Sequence, residues 1–264
     1  MLEEELDTVL VRRSSRGVDL TEAGRLFLVR ARNVHRELAN AEQELAELSG
    51  RRSSAVAIGI ASVIGALLVP GALERFRAKR PDAHLRIVEG TQETLLPQLR
   101  EGSLNLAACL RLDSESTTGF RVKPLAKLRL VVVGRKGHPL RQAGSLTALR
   151  HAQWLMTRPP GGGRGLLEHA HSLEGLEAPP RTIHCDSQGV QIAILAESDA
   201  VALMSRHMLE RPSVHGVLEE IKIDRDLPLL TMALYERADV PTSAATRDFA
   251  AALGTHARQV LRLT

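Results

Sequence analysis

The strongest constraint in this sequence is a single long seam. Between residues 21 and 50 the apolar positions are Phe27, Ala31, Val34, Leu38, Ala41, Leu45 and Leu48. Their spacing alternates four and three without a break, which is the heptad rule of a coiled coil. A helix packed on its own domain has a broader stripe with a period near 3.6. Thr21 is a suitable N-cap, Glu22 suits the first turn, and Gly50 supplies a stop. The small residues Ala31 and Ala41 let two helices come close. We expect a helix over 21–50 that dimerises the chain, and a homo-oligomer as its product.

A polar hinge over 51–54 (Arg-Arg-Ser-Ser) ends this pattern, and short apolar runs alternating with helical segments replace it. Strands are expected over 55–60, 85–88 and 104–110, with helices over 67–79, interrupted early by Pro70, and over 94–101, closed by Gly102. Two further strands are expected over 120–123 and 128–133. A second set follows: strands over 154–156, 181–185 and 201–204, with helices to about 171 and over 189–196. A short helix over 146–149, a late strand over 229–234 and a helix over 242–261 complete the list. Two β-α-β-α-β sets in tandem predict an α/β fold with parallel, doubly wound sheets in two lobes. We expect lobe I to comprise 55–133 and 230–264, and lobe II 134–229.

Aromatics make up 2% of the chain, so the core must be aliphatic and no stacking platform for sugars or single-stranded nucleic acid is available. Cys109 and Cys185 lie far apart with no metal-like spacing, the ten His are scattered, and neither an HExxH nor a GxSxG phrase occurs. No apolar run reaches the length of a membrane span, and the acidic start Met1-Leu2-Glu3-Glu4-Glu5 is unlike a signal peptide. These features predict a cytoplasmic protein without metal, cofactor or enzymatic activity. The net charge of +4 does not by itself imply DNA binding.

Residues 1–20 read as the last turns of a helix and two short strands around the basic turn Arg12-Arg13-Ser14-Ser15-Arg16-Gly17. This stretch, followed by Leu20-Thr21-Glu22-Ala23-Gly24, resembles the second half of a LysR-type winged helix-turn-helix. Leu73-Glu74-Arg75-Phe76-Arg77 with Arg80-Pro81, Leu99-Arg100-Glu101-Gly102 with Leu104-Asn105-Leu106-Ala107, and His138-Pro139-Leu140 resemble later phrases of that family, in its order. Asp7-Thr8-Val9 and Glu197-Ser198-Asp199 depart from it. The resemblance implies a ligand-responsive transcriptional regulator with a periplasmic-binding-protein-like effector module, a linker helix, and a dimer-to-tetramer assembly. It also implies that only a remnant of the DNA-reading domain, residues 1–20, is present, because base-edge contacts come mainly from the start of the recognition helix. Arg12, Arg13 and Arg16 are then candidates for DNA phosphate or minor-groove contact.

Ligands of open α/β sheets bind where strands end and helices begin. Ser62, Thr91 and Arg111 follow the first three strands. Thr157 and Arg158 follow the first strand of lobe II, Gly163 and Arg164 lie in a glycine-rich helix entry, and Ser187 follows the next strand. Hydroxyls, helix-start amides and arginines together suit a small anionic effector. Ser62 and Thr91 are equally well placed as simple helix caps. Two other readings compete: a two-lobed solute-binding protein with no DNA role, and a fragment that acts by pairing with full-length partners.

Overall fold

The computed structural model describes residues 2–14, 17–48, 54–111, 116–156 and 166–261. After a short helix α1 (Leu2–Glu5), strands β1 (Val11–Ser14) and β2 (Gly17–Leu20) form an antiparallel ribbon. The strands are longer than expected, so Arg12 and Arg13 lie within β1, opposite Asp19 and Val18, and not in the turn. Arg12 is exposed; Arg16 lies outside the described residues.

Helix α2 (Glu22–Leu48) runs for 27 residues. The Thr21 hydroxyl accepts the Gly24 amide at 2.9 Å and donates to the Val9 carbonyl at 2.7 Å, which ties the helix start to the ribbon. A Cβ on Gly24 would lie 1.9 Å from the Leu10 carbonyl oxygen, so only glycine allows this close approach. Along the seam, Phe27 and Ala31 are half-buried, whereas Val34, Leu38 and Leu45 are 71%, 61% and 63% exposed. Ala41 is also exposed, and Leu48 ends the helix. The expected stop at Gly50 and most of the hinge lie outside the described residues.

The first lobe begins with β3 (Ala55–Ile60), α3 (Ser62–Lys79), β4 (His84–Glu89), α4 (Gln92–Arg100) and β5 (Leu106–Arg111). β4, β3 and β5 are parallel neighbours. Helix α3 passes unbroken through Pro70, against the expected interruption, and begins five residues earlier than expected. The strands expected over 120–123 and 128–133 are one strand, β6 (Phe120–Arg135). Its first part pairs with β11 (Leu229–Arg237), and from Leu130 onward it pairs with β9 (Ala200–Ser205) and β10 (Leu218–Ile221). It therefore belongs to both sheets, and the change of partner falls earlier than the expected 133.

The second lobe adds β7 (Gln153–Met156), α5 (Leu166–Leu173), β8 (Thr182–His184) and α6 (Gln188–Glu197), with β9, β7 and β8 parallel. The expected helix over 146–149 is a 3-10 turn at Thr147–Leu149. The strand order is β4-β3-β5-β11-β6-β9-β7-β8, with β10 beside β6. β11 lies between β5 and β6, antiparallel to both. The sheets are thus mixed, not purely parallel as the strand–helix alternation predicted. No described helix is long and apolar enough to cross a membrane.

Helix α7 (Ala244–Val260) returns to lobe I and packs on α3. Phe76 and Phe249 meet edge to face, with centroids 5.2 Å apart. Beside them Asp248 accepts from Lys79 at 2.5 Å and Arg80 at 2.6 Å. Burial raises the Asp248 pKa, but these two hydrogen bonds outweigh it and hold the carboxyl below its ordinary value.

The His138-Pro139-Leu140 phrase has a structural cause. His138 is buried, its Nδ1 accepts the Leu140 amide at 3.0 Å, and its Nε2 reaches the Asp199 carbonyl at 3.1 Å. The ring therefore carries its proton on Nε2, as donor to Asp199. His138→Ala leaves a buried amide and carbonyl without these partners. We expect a loss of about 1–3 kcal/mol, read as a lower urea midpoint at unchanged slope. An unchanged midpoint would assign the phrase a different role.

Candidate functional site

The strand registers place two rims face to face. Arg111, at the end of β5, is level with Thr231 on β11, which is level with Lys127 on β6. β5 therefore runs parallel to β6 and points its C-terminal end toward lobe II. β9 runs against β6 and ends at Ser205, opposite Leu130. The C-terminal ends of both parallel sets thus converge on one stretch of β6, Lys127 to Leu130, about 10 Å long at 3.3 Å per residue. This is the crevice that open α/β sheets offer to ligands.

Four of the rim residues can now be placed. Ser62 is the first residue of α3, not its cap; Ala61 holds that position, and no side chain caps the helix. The Ser62 hydroxyl donates instead to Glu89 at the end of β4, at 2.6 Å. An acid thus stands beside a hydroxyl that the sequence suggested for an anion. Thr91 is the N-cap of α4. Its amide donates to Thr94 Oγ1 at 3.0 Å in a capping-box arrangement, while its own Oγ1 is buried and makes no hydrogen bond among the described residues. Arg111 is half-buried on the same sheet edge. Across the crevice Ser187 caps α6 and accepts the Val190 amide at 3.4 Å. Thr157, Arg158, Gly163 and Arg164 lie outside the described residues.

Three polar groups at this edge escaped the sequence reading. Glu89 reads locally as an ordinary strand end. Ser205 Oγ and His207 Nδ1, at the end of β9, are buried without a hydrogen-bond partner among the described residues. Their signal was available: Ser205-Arg206-His207 stands at the end of an apolar strand, much as Thr91 stands just past β4. An unsatisfied buried polar atom costs about 1–3 kcal/mol, so such atoms on facing rims mark a place where a partner from outside the chain is favoured. Among the described residues no three His, Cys, Asp or Glu side chains are grouped to hold a metal.

Residues 49–258 match the model of the LysR substrate binding domain. The transcriptional regulator GalR of Pseudomonas putida is 26% identical over 250 residues, 94% of this chain; the chain spans only 62% of that regulator's length. A full-length OxyR variant from Pseudomonas aeruginosa shares the fold, with a TM-score of 0.65 at 23% identity over 97% of this chain and 82% of its own. The effector binding domain of QuiR, solved in complex with shikimate, has a TM-score of 0.65 at 17% identity and covers 79% of this chain and 99% of its own.

Proposed function

Because the chain belongs to the LysR family and carries that family's substrate binding domain over residues 49–258, we propose that it is the sensing and dimerising part of a ligand-responsive transcriptional regulator. The effector sits between the rims, and its binding sets the angle between the lobes. Helix α2 passes that change to a second copy of the chain, and the ribbon β1–β2 lies against DNA with the exposed Arg12 toward the phosphates.

The observation that carries this reading is the convergence of both sets of strand ends on Lys127–Leu130; polar atoms on each side that find no partner among the described residues support it. The likeness to a domain solved with shikimate supports a small molecule as occupant. The effector is a small acid that also carries a hydrogen-bond donor. Its negative group faces Arg111 and the first-turn amides of α3 and α4, and its donor faces the Glu89 carboxylate. A fully anionic molecule would meet Glu89 unfavourably.

Calorimetry against a panel of small carboxylic acids, with and without hydroxyl or amino groups, tests this. The best binder is expected to be an acid with such a donor. Ser62→Ala and Thr91→Val are each expected to weaken it by about 1 kcal/mol, roughly fivefold. A neutral or cationic best ligand, or parent-like binding by both variants, would sink the reading.

A further inference from the structure

The cleft uses one end of the lobe I strands. At the opposite end, where β3 and β4 begin, a groove of about 470 Å³ opens between the lobe and helix α2. That volume is ordinary for a small-molecule site. Three guanidiniums line it: Arg77 from α3, Arg86 from β4 and Arg237 from β11. The wall holds one acid, Glu37 of α2. The Arg77 Nη1 donates to the backbone carbonyls of Pro81 and Ala83. The Arg86 guanidinium has no hydrogen bond or ion pair among the described residues. Arg237 donates from Nη1 to Glu37 Oε2 at 3.2 Å and from Nε to Asp239 Oδ1 at 3.2 Å.

Glu37 is informative because it already does in the groove what a ligand would do. It presents a carboxylate to Arg237 from a helix otherwise largely in water. Its side chain is 44% exposed against 19% for Arg237, and an ion pair with one partner so exposed contributes little. With Glu37 withdrawn, Arg237 keeps Asp239 as its partner, and Arg77 and Arg86 line the same space, which is far larger than one carboxylate. We infer that this groove is a second binding site, that its ligand is a small di- or tricarboxylate, and that the ligand and Glu37 compete for Arg237. Planar carboxylates match guanidinium forks, and two or three of them engage cations that a monocarboxylate leaves unpaired. The site has a regulatory consequence. The Glu37–Arg237 pair joins α2 to a residue 200 positions away, and Glu37 adjoins the seam residue Leu38. Occupancy releases that tie and reaches the dimer.

Titration calorimetry of the full chain with citrate tests this, at constant ionic strength and with acetate as the monocarboxylate control. Citrate is expected to bind one to one and acetate not to bind measurably. Arg86→Gln is expected to weaken citrate about tenfold, the usual scale for a lost hydrogen bond to a charged group. Its unfolding temperature is expected to stay that of the parent, since the guanidinium makes no hydrogen bond or ion pair among the described residues. Glu37→Gln is expected to tighten citrate several-fold, because the internal competitor is gone. Ser62→Ala and Thr91→Val are expected to leave citrate affinity as in the parent, which separates this site from the cleft. The inference is overturned if Glu37→Gln leaves affinity unchanged or lowers it, or if Arg86→Gln binds like the parent. It is equally overturned if the Ser62 or Thr91 variant loses citrate, which would assign the anion to the cleft. Failure of the cleft reading itself would leave the groove result standing.

Discussion

Replacing Leu38 and Leu45 with lysine is expected to abolish dimerisation through α2. Both side chains are more than 60% exposed in the single chain, so the substitutions cost the isolated protomer little. In a two-helix seam the same positions are buried, and each leucine contributes roughly 1.5–3 kcal/mol by leaving water. Lysine removes that gain and brings like charges together in an apolar seam. The combined loss is at least about 4 kcal/mol, on the order of a thousandfold in the dimer dissociation constant. Sedimentation velocity is expected to show the variant one assembly step below the parent. Ala39→Lys, also exposed on α2 but outside the seam, is the control and is expected to assemble normally. An unchanged oligomer in the double variant would place dimerisation elsewhere.

The second large effect is on stability. Phe249→Ala is expected to cost about 3–5 kcal/mol, the usual range for truncating a fully buried aromatic. Phe249 has no exposed surface and forms, with Phe76, the aromatic contact of the α3–α7 interface. In a chain with only four Phe, one Tyr and one Trp, few large side chains are at hand to refill the space. At roughly 2–4 °C per kcal/mol for a domain of this size, the melting temperature falls by about 10 °C. Phe249→Leu keeps most of the volume and is expected to lose far less. A shift under about 2 °C for the alanine variant would show that α7 contributes little to holding lobe I together.

The candidate site was partly legible. The rule that ligands gather where strands end and helices begin picked out Ser62, Thr91, Arg111 and Ser187 because each lies within three residues of an expected strand end. It could not say that Ser62 is engaged by Glu89, 27 residues away, because hydrogen-bond partners across strands leave no local trace. Nor could it separate Thr91, a cap whose hydroxyl makes no hydrogen bond among the described residues, from Ser187, a cap whose hydroxyl is used. Both look alike in sequence, and the difference lies in what packs around them.

The same division runs through the fold. Helix α2 was readable as a helix because its apolar repeat is local: each such residue is placed by neighbours three and four positions away. The strand–helix order was readable for the same reason, from apolar runs punctuated by glycine and polar turns. Tertiary structure alone decided that β11 enters between β5 and β6, that β6 is one strand shared by two sheets, and that Glu37 meets Arg237. Strand adjacency and register are chosen by packing between segments distant in the chain, and a strand's residues state which faces are apolar but not which edge lies beside them.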